Sequence, residues 1–226
     1  MKMLEVLTEK LTSVSPKKTK EKISFEEYLV KYDGQHAEWI DGDVILLHGE
    51  QNLNPDDKEK ISMAASYKHQ DLCDFLIAVL RAFVEENDLG IIITAPMTMK
   101  VNERGREPDI FFVSKNNLDR LKKNYLDGAA DLIVEIISPE SRGRDRGDKF
   151  YEYEKAGVKE YWLIDYERKQ AEFYNLGKNG IYQVSQPDEN QIYRSKVLKK
   201  LQLNVKWLWQ KKLPGLLEVL KEWKLI

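Results

Sequence analysis

The segment Asp131-Leu132-Ile133-Val134-Glu135-Ile136-Ile137 limits the fold more than any other stretch of the chain. Its aliphatic residues do not alternate with polar ones, so the strand it forms needs cover on both faces, as in a sheet flanked by helices. Glu135 stands inside that run, and ionising a lone buried carboxylate costs several kcal/mol unless a partner is supplied. Two kinds of partner meet that need: a divalent cation, or a buried Arg or Lys in a structural ion pair.

A second run, Pro108-Asp109-Ile110-Phe111-Phe112-Val113, places an acid at the mouth of a β-branched and aromatic strand, after a proline that cannot donate to a ladder. Asp109 there is either a metal ligand or an ordinary turn acid. Ser141 to Tyr153 then reads as a basic loop, carrying Arg142, Arg144 and Arg146, that feeds a helix ending at Ala156-Gly157 with glycine at C′. On that helix Asp145, Lys149 and Tyr153 are spaced to share one stripe. The plain alternative for Lys149 is a surface pair with Asp145, worth about 0.3–0.5 kcal/mol, and for Asp145 a first-turn acid favoured by the helix dipole. Glu160-Tyr161-Trp162-Leu163-Ile164-Asp165 returns as a strand, so strand, strand, helix and strand bring two acids and a lysine together.

The rest of the chain frames this core. Residues 1–22 read as a loosely ordered arm and residues 23–226 as one domain, since a chain of 226 residues with 42% hydrophobic content buries one sizeable core. Ser24-Phe25-Glu26-Glu27 matches a capping box, and Ala37 to Leu47, turning at Asp41-Gly42, is a strong hairpin signal. Glu50 to Lys60 reads as an exposed loop. From Ser62 to Asn87 the helical spacing of His69, Leu72, Cys73, Leu76, Val79, Leu80 and Phe83 predicts a long core helix closed by Gly90. Ile91 to Ile93 and Met97 to Val101 read as strands, Asn102 to Arg106 as a turn, Ala171 to Tyr174 and Ile181 to Val184 as an antiparallel pair, and Lys196 to Leu203 as a last strand. Trp207 to Leu225 is amphipathic and rich in Trp and Leu, the pattern of a lid, an oligomer contact or core packing rather than of a base-stacking platform.

Charge is nearly balanced, 36 basic against 38 acidic residues, so nucleic acid would be met by a local patch rather than by the net charge of −2. A single cysteine excludes an internal disulfide and a Cys-based metal cluster and suits the cytoplasm. No apolar run reaches membrane-spanning length.

Two carboxylates on neighbouring strands offer the hard oxygens that Mg2+ or Mn2+ prefers, with room left for water and a phosphate. Such an ion relieves the burial of Glu135 and supplies what phosphodiester hydrolysis requires. Lys149 then orients the attack or stabilises the phosphorane, and Arg142, Arg144 and Arg146 are candidate phosphate contacts. Taken in order, Arg106-Glu107-Pro108-Asp109, Val134-Glu135-Ile136-Ile137-Ser138-Pro139, Asp145, Lys149, Tyr153, Ala156-Gly157-Val158 and Glu160 to Asp165 resemble the Uma family of endonucleases in the PD-(D/E)XK superfamily. The resemblance extends to Glu38, Gly42 and His69 and covers Phe25 to Trp209. It implies a restriction-endonuclease-like α/β (α+β) fold: a mixed central sheet flanked by helices, with an N-terminal hairpin and a C-terminal antiparallel extension. It also implies Asp109, Glu135 and the Ile136 carbonyl as metal ligands, Glu38, His69 and Asp145 as accessory groups, and DNA as substrate. Ile137 stands where the superfamily usually has lysine, and Lys149 is the migrated substitute. The function so read is a metal-dependent endonuclease hydrolysing DNA phosphodiester bonds, with a homodimer as its assembly. The alternatives are a binding module that keeps the fold without cleaving and a structural homo-oligomer.

Overall fold

The computed structural model describes residues 21–47, 67–138 and 141–226. The arm, apart from its last two residues, the polar loop from Glu50 to Lys60 and the first turn expected from Ser62 lie outside the described residues. Helix α1 (Phe25–Lys31) starts on a complete capping box: the Glu27 amide donates to Ser24 Oγ at 3.2 Å and the Ser24 amide to Glu27 Oε2 at 3.0 Å. Strands β1 (Ala37–Ile40) and β2 (Asp43–Leu46) form the expected hairpin. Asp41 and Gly42 have φ of 51° and 91°, the two positive values that a primed turn requires.

Helix α2 (Tyr67–Glu86) buries the anticipated stripe of Leu72, Cys73, Leu76, Val79, Leu80 and Phe83. It does not end on Gly90. Asp88 takes the left-handed conformation at φ 54°, and Gly90 opens strand β3 (Gly90–Thr94). A Cβ on Gly90 would lie 2.1 Å from the Val113 carbonyl oxygen, so its glycine serves close strand approach.

Strands β4 (Thr98–Val101), β5 (Arg104–Arg106), β6 (Ile110–Ser114), β7 (Tyr125–Asp127) and β8 (Leu132–Ile136) follow. Helices α3 (Arg142–Arg146) and α4 (Asp148–Ala156) then lead into β9 (Glu160–Asp165), β10 (Gln170–Leu176) and β11 (Tyr182–Ser185). The stretch expected as a turn at 102–106 is a turn only at its start. Arg104–Arg106 pairs with both β4 and β1, because its arginines find carboxylates in other elements that turn propensity does not register.

The central sheet has the order β11-β10-β9-β8-β6-β3 and is antiparallel except for the β8–β9 pair, whose crossover runs through α3 and α4. As the unbroken apolar run of β8 demands, both faces are covered. Leu132, Val134 and Ile136 pack with α2, while Ile133 and Ile137 pack with Tyr153 of α4. A second sheet, β2-β1-β5-β4-β7, carries the hairpin to the α4 side. This is the mixed sheet flanked by helices, with hairpin and antiparallel extension, that the sequence implies. No helix of the described residues is long and apolar enough to cross a membrane.

One reading of the C-terminal third is corrected and another is narrowed. Lys196 to Leu203 is not a strand: only Gln202–Asn204, β13, pairs with β12 (Ile192–Arg194). The intervening loop instead wraps the buried Glu160, whose carboxylate accepts from Trp162 Nε1, Tyr193 OH, Ser195 Oγ and the Lys196 and Val197 amides at 2.7–2.9 Å. Replacing Glu160 with Ala strands those donors and is expected to lower stability by about 3 kcal/mol or more, read from urea unfolding. The Trp-rich tail is core rather than lid: Trp207, Leu208 and Val219 of helix α5 (Leu216–Glu222) are buried, and Trp207 and Trp223 meet Phe75 and Phe83 of α2 edge-on. Its amphipathic pattern reflects packing against a helix more than a hundred positions earlier.

Candidate active site

The β6–β8 register pairs Ile110 with Val134, so Asp109, one residue earlier, comes opposite Glu135, one residue later. Residues opposite one another in an antiparallel pair project to the same face. The Ile136 amide donates to Asp109 Oδ2 at 2.7 Å and ties the two strand ends together. Asp109 remains 24% exposed, whereas Glu135 is 2% exposed.

Lys149 reaches Glu135 from α4. Its Nζ is 2.9 Å from Glu135 Oε1, 3.3 Å from Asp145 Oδ1 and 3.4 Å from Glu38 Oε1. The pair with Asp145 is therefore buried, not a surface pair, and Asp145 belongs to α3 rather than to the first turn of the lysine's helix. The helical stretch breaks at Gly147, where a Cβ would lie 2.6 Å from the Gly143 carbonyl oxygen. Tyr153, on the same stripe as Lys149, donates its hydroxyl to Glu135 Oε1 at 3.0 Å.

Glu38 enters from the second sheet and is wholly buried between two cations. Arg106 Nη1 donates to its Oε2 at 2.5 Å, while the other edge of Arg106 binds both oxygens of Glu152 at 2.7 and 2.8 Å. Arg106 and Glu152 are the members of this network that sequence reasoning left without a role. The available signal was an arginine directly before Glu107-Pro108-Asp109, on a strand read as a turn.

Burial pushes Glu135 up to about 8; the Lys149 charge counters it, while Asp145 and Asp109 add to it. Burial raises Asp145 too, again against Lys149. For Lys149, burial would favour the neutral amine, but Glu135, Asp145 and Glu38 outweigh it and hold the ammonium charged. For Glu38, burial is overcome by Lys149 and Arg106, which keep it below the usual range. Three carboxyls, those of Glu38, Glu135 and Asp145, thus face Lys149, with the Arg144 charge and an Arg106 already shared with Glu152 beside them, and Asp109 adds a fourth carboxyl that acts on Glu135. Hard carboxylate oxygens on Asp109 and Glu135, with the buried Glu135 anion disfavoured as it stands, fit a divalent cation such as Mg2+ or Mn2+.

His69 turns out of the α2 stripe toward the same point. Its Nε2 lies 3.0 Å from the Ile136 carbonyl oxygen and 3.5 Å from Asp109 Oδ2, and Cys73 Sγ lies 3.7 Å from its Nδ1. The arginine segment is helix α3, not a loop. Arg142 pairs with Asp165 at 3.2 Å and Glu167 at 3.6 Å, Arg146 pairs with Glu172, and the Arg144 charge acts on Glu38 and Asp145. A separate cleft is lined by Lys100, Arg120 and Lys155, with Asp127 among them.

Residues 25–206 match the Uma2 family, described as "Putative restriction endonuclease". The chain belongs to the Uma2 family. Membership of Uma2 makes the protein nuclease-like, with nucleic acid as its class of substrate. Among solved structures, a protein from Anabaena variabilis ATCC 29413 titled "putative nuclease belonging to DUF820" is similar in fold. The TM-score is 0.63 at 18% identity, over 83% of this chain and 97% of that one. No curated protein matches the chain.

Proposed function

We propose that the protein is a metal-dependent endonuclease that hydrolyses DNA phosphodiester bonds. Asp109, Glu135 and the Ile136 carbonyl would hold Mg2+ or Mn2+, with Asp145 and Glu38 as accessory acids. The observation that carries this reading is Lys149, whose ammonium lies 2.9 Å from a buried carboxyl on the strand beside Asp109. A bound dication would lower the pKa of a water and neutralise charge on a phosphoryl oxygen.

The protein's own groups then divide the work. Because three carboxyls keep Lys149 protonated, it acts as a positive charge toward the phosphate and not as the base. Glu38 and Tyr153 orient the lysine and Glu135 respectively. Asp109, the exposed acid of the set, marks the side from which the phosphodiester approaches. Arg142 and Arg146 are held in direct ion pairs, so the phosphate contact from α3 is assigned to Arg144, whose charge acts on Glu38 and Asp145 of the site. The single cysteine, a buried free thiol, agrees with a cytoplasmic setting.

The test is nicking of supercoiled plasmid with Mg2+ or Mn2+, with and without EDTA. Cleavage is expected to need the ion and to fall at least about a hundredfold in Asp109→Asn. Cleavage that persists in EDTA, or in that variant, would sink the proposal. A second reading, a module that binds DNA without cutting, is favoured by one observation: Lys149 is only 3% exposed, with its charge closed on three carboxyls. Retained DNA binding with no nicking under either ion would select it.

A further inference from the structure

We infer that His69 is itself a ligand of the metal centre, through Nε2, and that it makes the centre prefer Mn2+ to Mg2+. The inference rests on the metal-centre reading above and adds a nitrogen donor to an otherwise all-oxygen set. Two of the oxygens assigned to the ion, Asp109 Oδ2 and the Ile136 carbonyl, are the two atoms that His69 Nε2 approaches, at 3.5 and 3.0 Å. Neighbouring ligand atoms around an octahedral ion with bonds of about 2.1 Å are about 3 Å apart, so these separations already have the size of a coordination edge. His69 stands one turn before Cys73 on a core-packed helix of 20 residues, which holds the ring against β8 without a loop to order.

The other ring nitrogen supplies the condition for ligation. A ligating imidazole offers the Nε2 lone pair and so carries its proton on Nδ1, which needs an acceptor. Cys73 Sγ, 3.7 Å from Nδ1, is that acceptor. Without an ion, Nε2 carries a proton, donates it to the Ile136 carbonyl and lies close to Asp109. Ion binding therefore takes the proton from Nε2 and leaves the ring proton on Nδ1, facing Cys73 Sγ. His69, Cys73 and Asp109 offer donor atoms all within 4.8 Å of one another, but the buried thiol acts through the ring. Magnesium takes oxygen ligands and keeps its water, whereas imidazole favours first-row transition ions, which gives the direction of the selectivity.

The experiment uses the full chain with 15N-labelled histidine. Mn2+ and Mg2+ affinities are measured by calorimetry, and the Mn2+ centre by pulsed electron paramagnetic resonance. The wild type is expected to bind Mn2+ at least about tenfold tighter than Mg2+ and to show a 15N coupling. His69→Gln should lose that coupling and most of the Mn2+ advantage, while its Mg2+ affinity stays within about threefold. Absence of a histidine coupling in the wild type overturns the inference without recourse to any variant, and so does a coupling that survives in His69→Gln. Asp109→Asn and Glu135→Gln separate the two levels. If they lose the ion and His69→Gln does not, only the ligand assignment falls; if they bind it as the wild type does, the metal-centre reading falls first.

Discussion

Glu135→Gln is expected to lower DNA cleavage about a hundredfold to a thousandfold while the protein stays folded, the range seen when one preorganised electrostatic group is removed from a hydrolytic site. Glutamine keeps the shape of the side chain and an oxygen that accepts from Lys149 Nζ and Tyr153 OH, the contacts made by Oε1 at 2.9 and 3.0 Å. It removes the charge and the second anionic oxygen that a cation would use. Lys149 retains Glu38 and Asp145, so no buried charge is left alone. Rates are to be measured at saturating Mn2+, beside thermal unfolding of the ion-free protein. Cleavage within about tenfold of wild type would mean that Glu135 is a structural partner of Lys149 and not part of the chemistry.

Lys149→Met has the larger structural consequence. It leaves Glu38, Glu135 and Asp145 facing one another in a buried space, and removing one partner from such a network typically costs about 3–5 kcal/mol. The deficit depends on pH, and its sign follows from the raised carboxyls. Glu135 stands at about 8 even beside the ammonium, and loss of that charge raises it further. A carboxyl whose folded pKa lies above its unfolded one favours the folded state fully below the unfolded value, near 4.5 for Glu, and loses that contribution as pH rises through the folded value. The variant should therefore approach wild-type stability near pH 5 and fall furthest behind above pH 8, as urea unfolding at the two pH values would show. An equal deficit at both would exclude the network as its origin. A divalent ion should also raise the melting temperature of Lys149→Met more than that of the wild type, because it replaces the missing charge. Cleavage should drop as well, since the charge facing the phosphate is gone.

The two acids were legible because their relation is written in short-range pattern. Asp109 precedes one apolar run and Glu135 interrupts another, and antiparallel pairing of those runs brings them opposite each other. Lys149, Asp145 and Tyr153 were legible from helical spacing, which survives the break at Gly147. Arg106 and Glu152 were not. Arginine on a short strand looks like turn chemistry until Glu38, 68 positions earlier, and Glu152, 46 positions later, are brought to it. The same holds for Glu160, whose partners lie up to 37 positions further along and turn an apparent strand into a loop around a carboxylate.

By itself, the sequence determined the elements whose signals are local. The Asp41-Gly42 turn, the Ser24 cap, the Gly157 stop and the doubly covered central strand follow from backbone dihedrals and side-chain period, which a few neighbouring residues set. Tertiary structure alone decided which buried charge meets which. It added Glu38 to the carboxyls around Lys149, set Arg106 between Glu38 and Glu152, and turned His69 against Asp109 and the Ile136 carbonyl. The physical reason is desolvation: a charge taken out of water accepts whichever opposite group the packing of two sheets and a helix delivers, and no local pattern encodes that delivery.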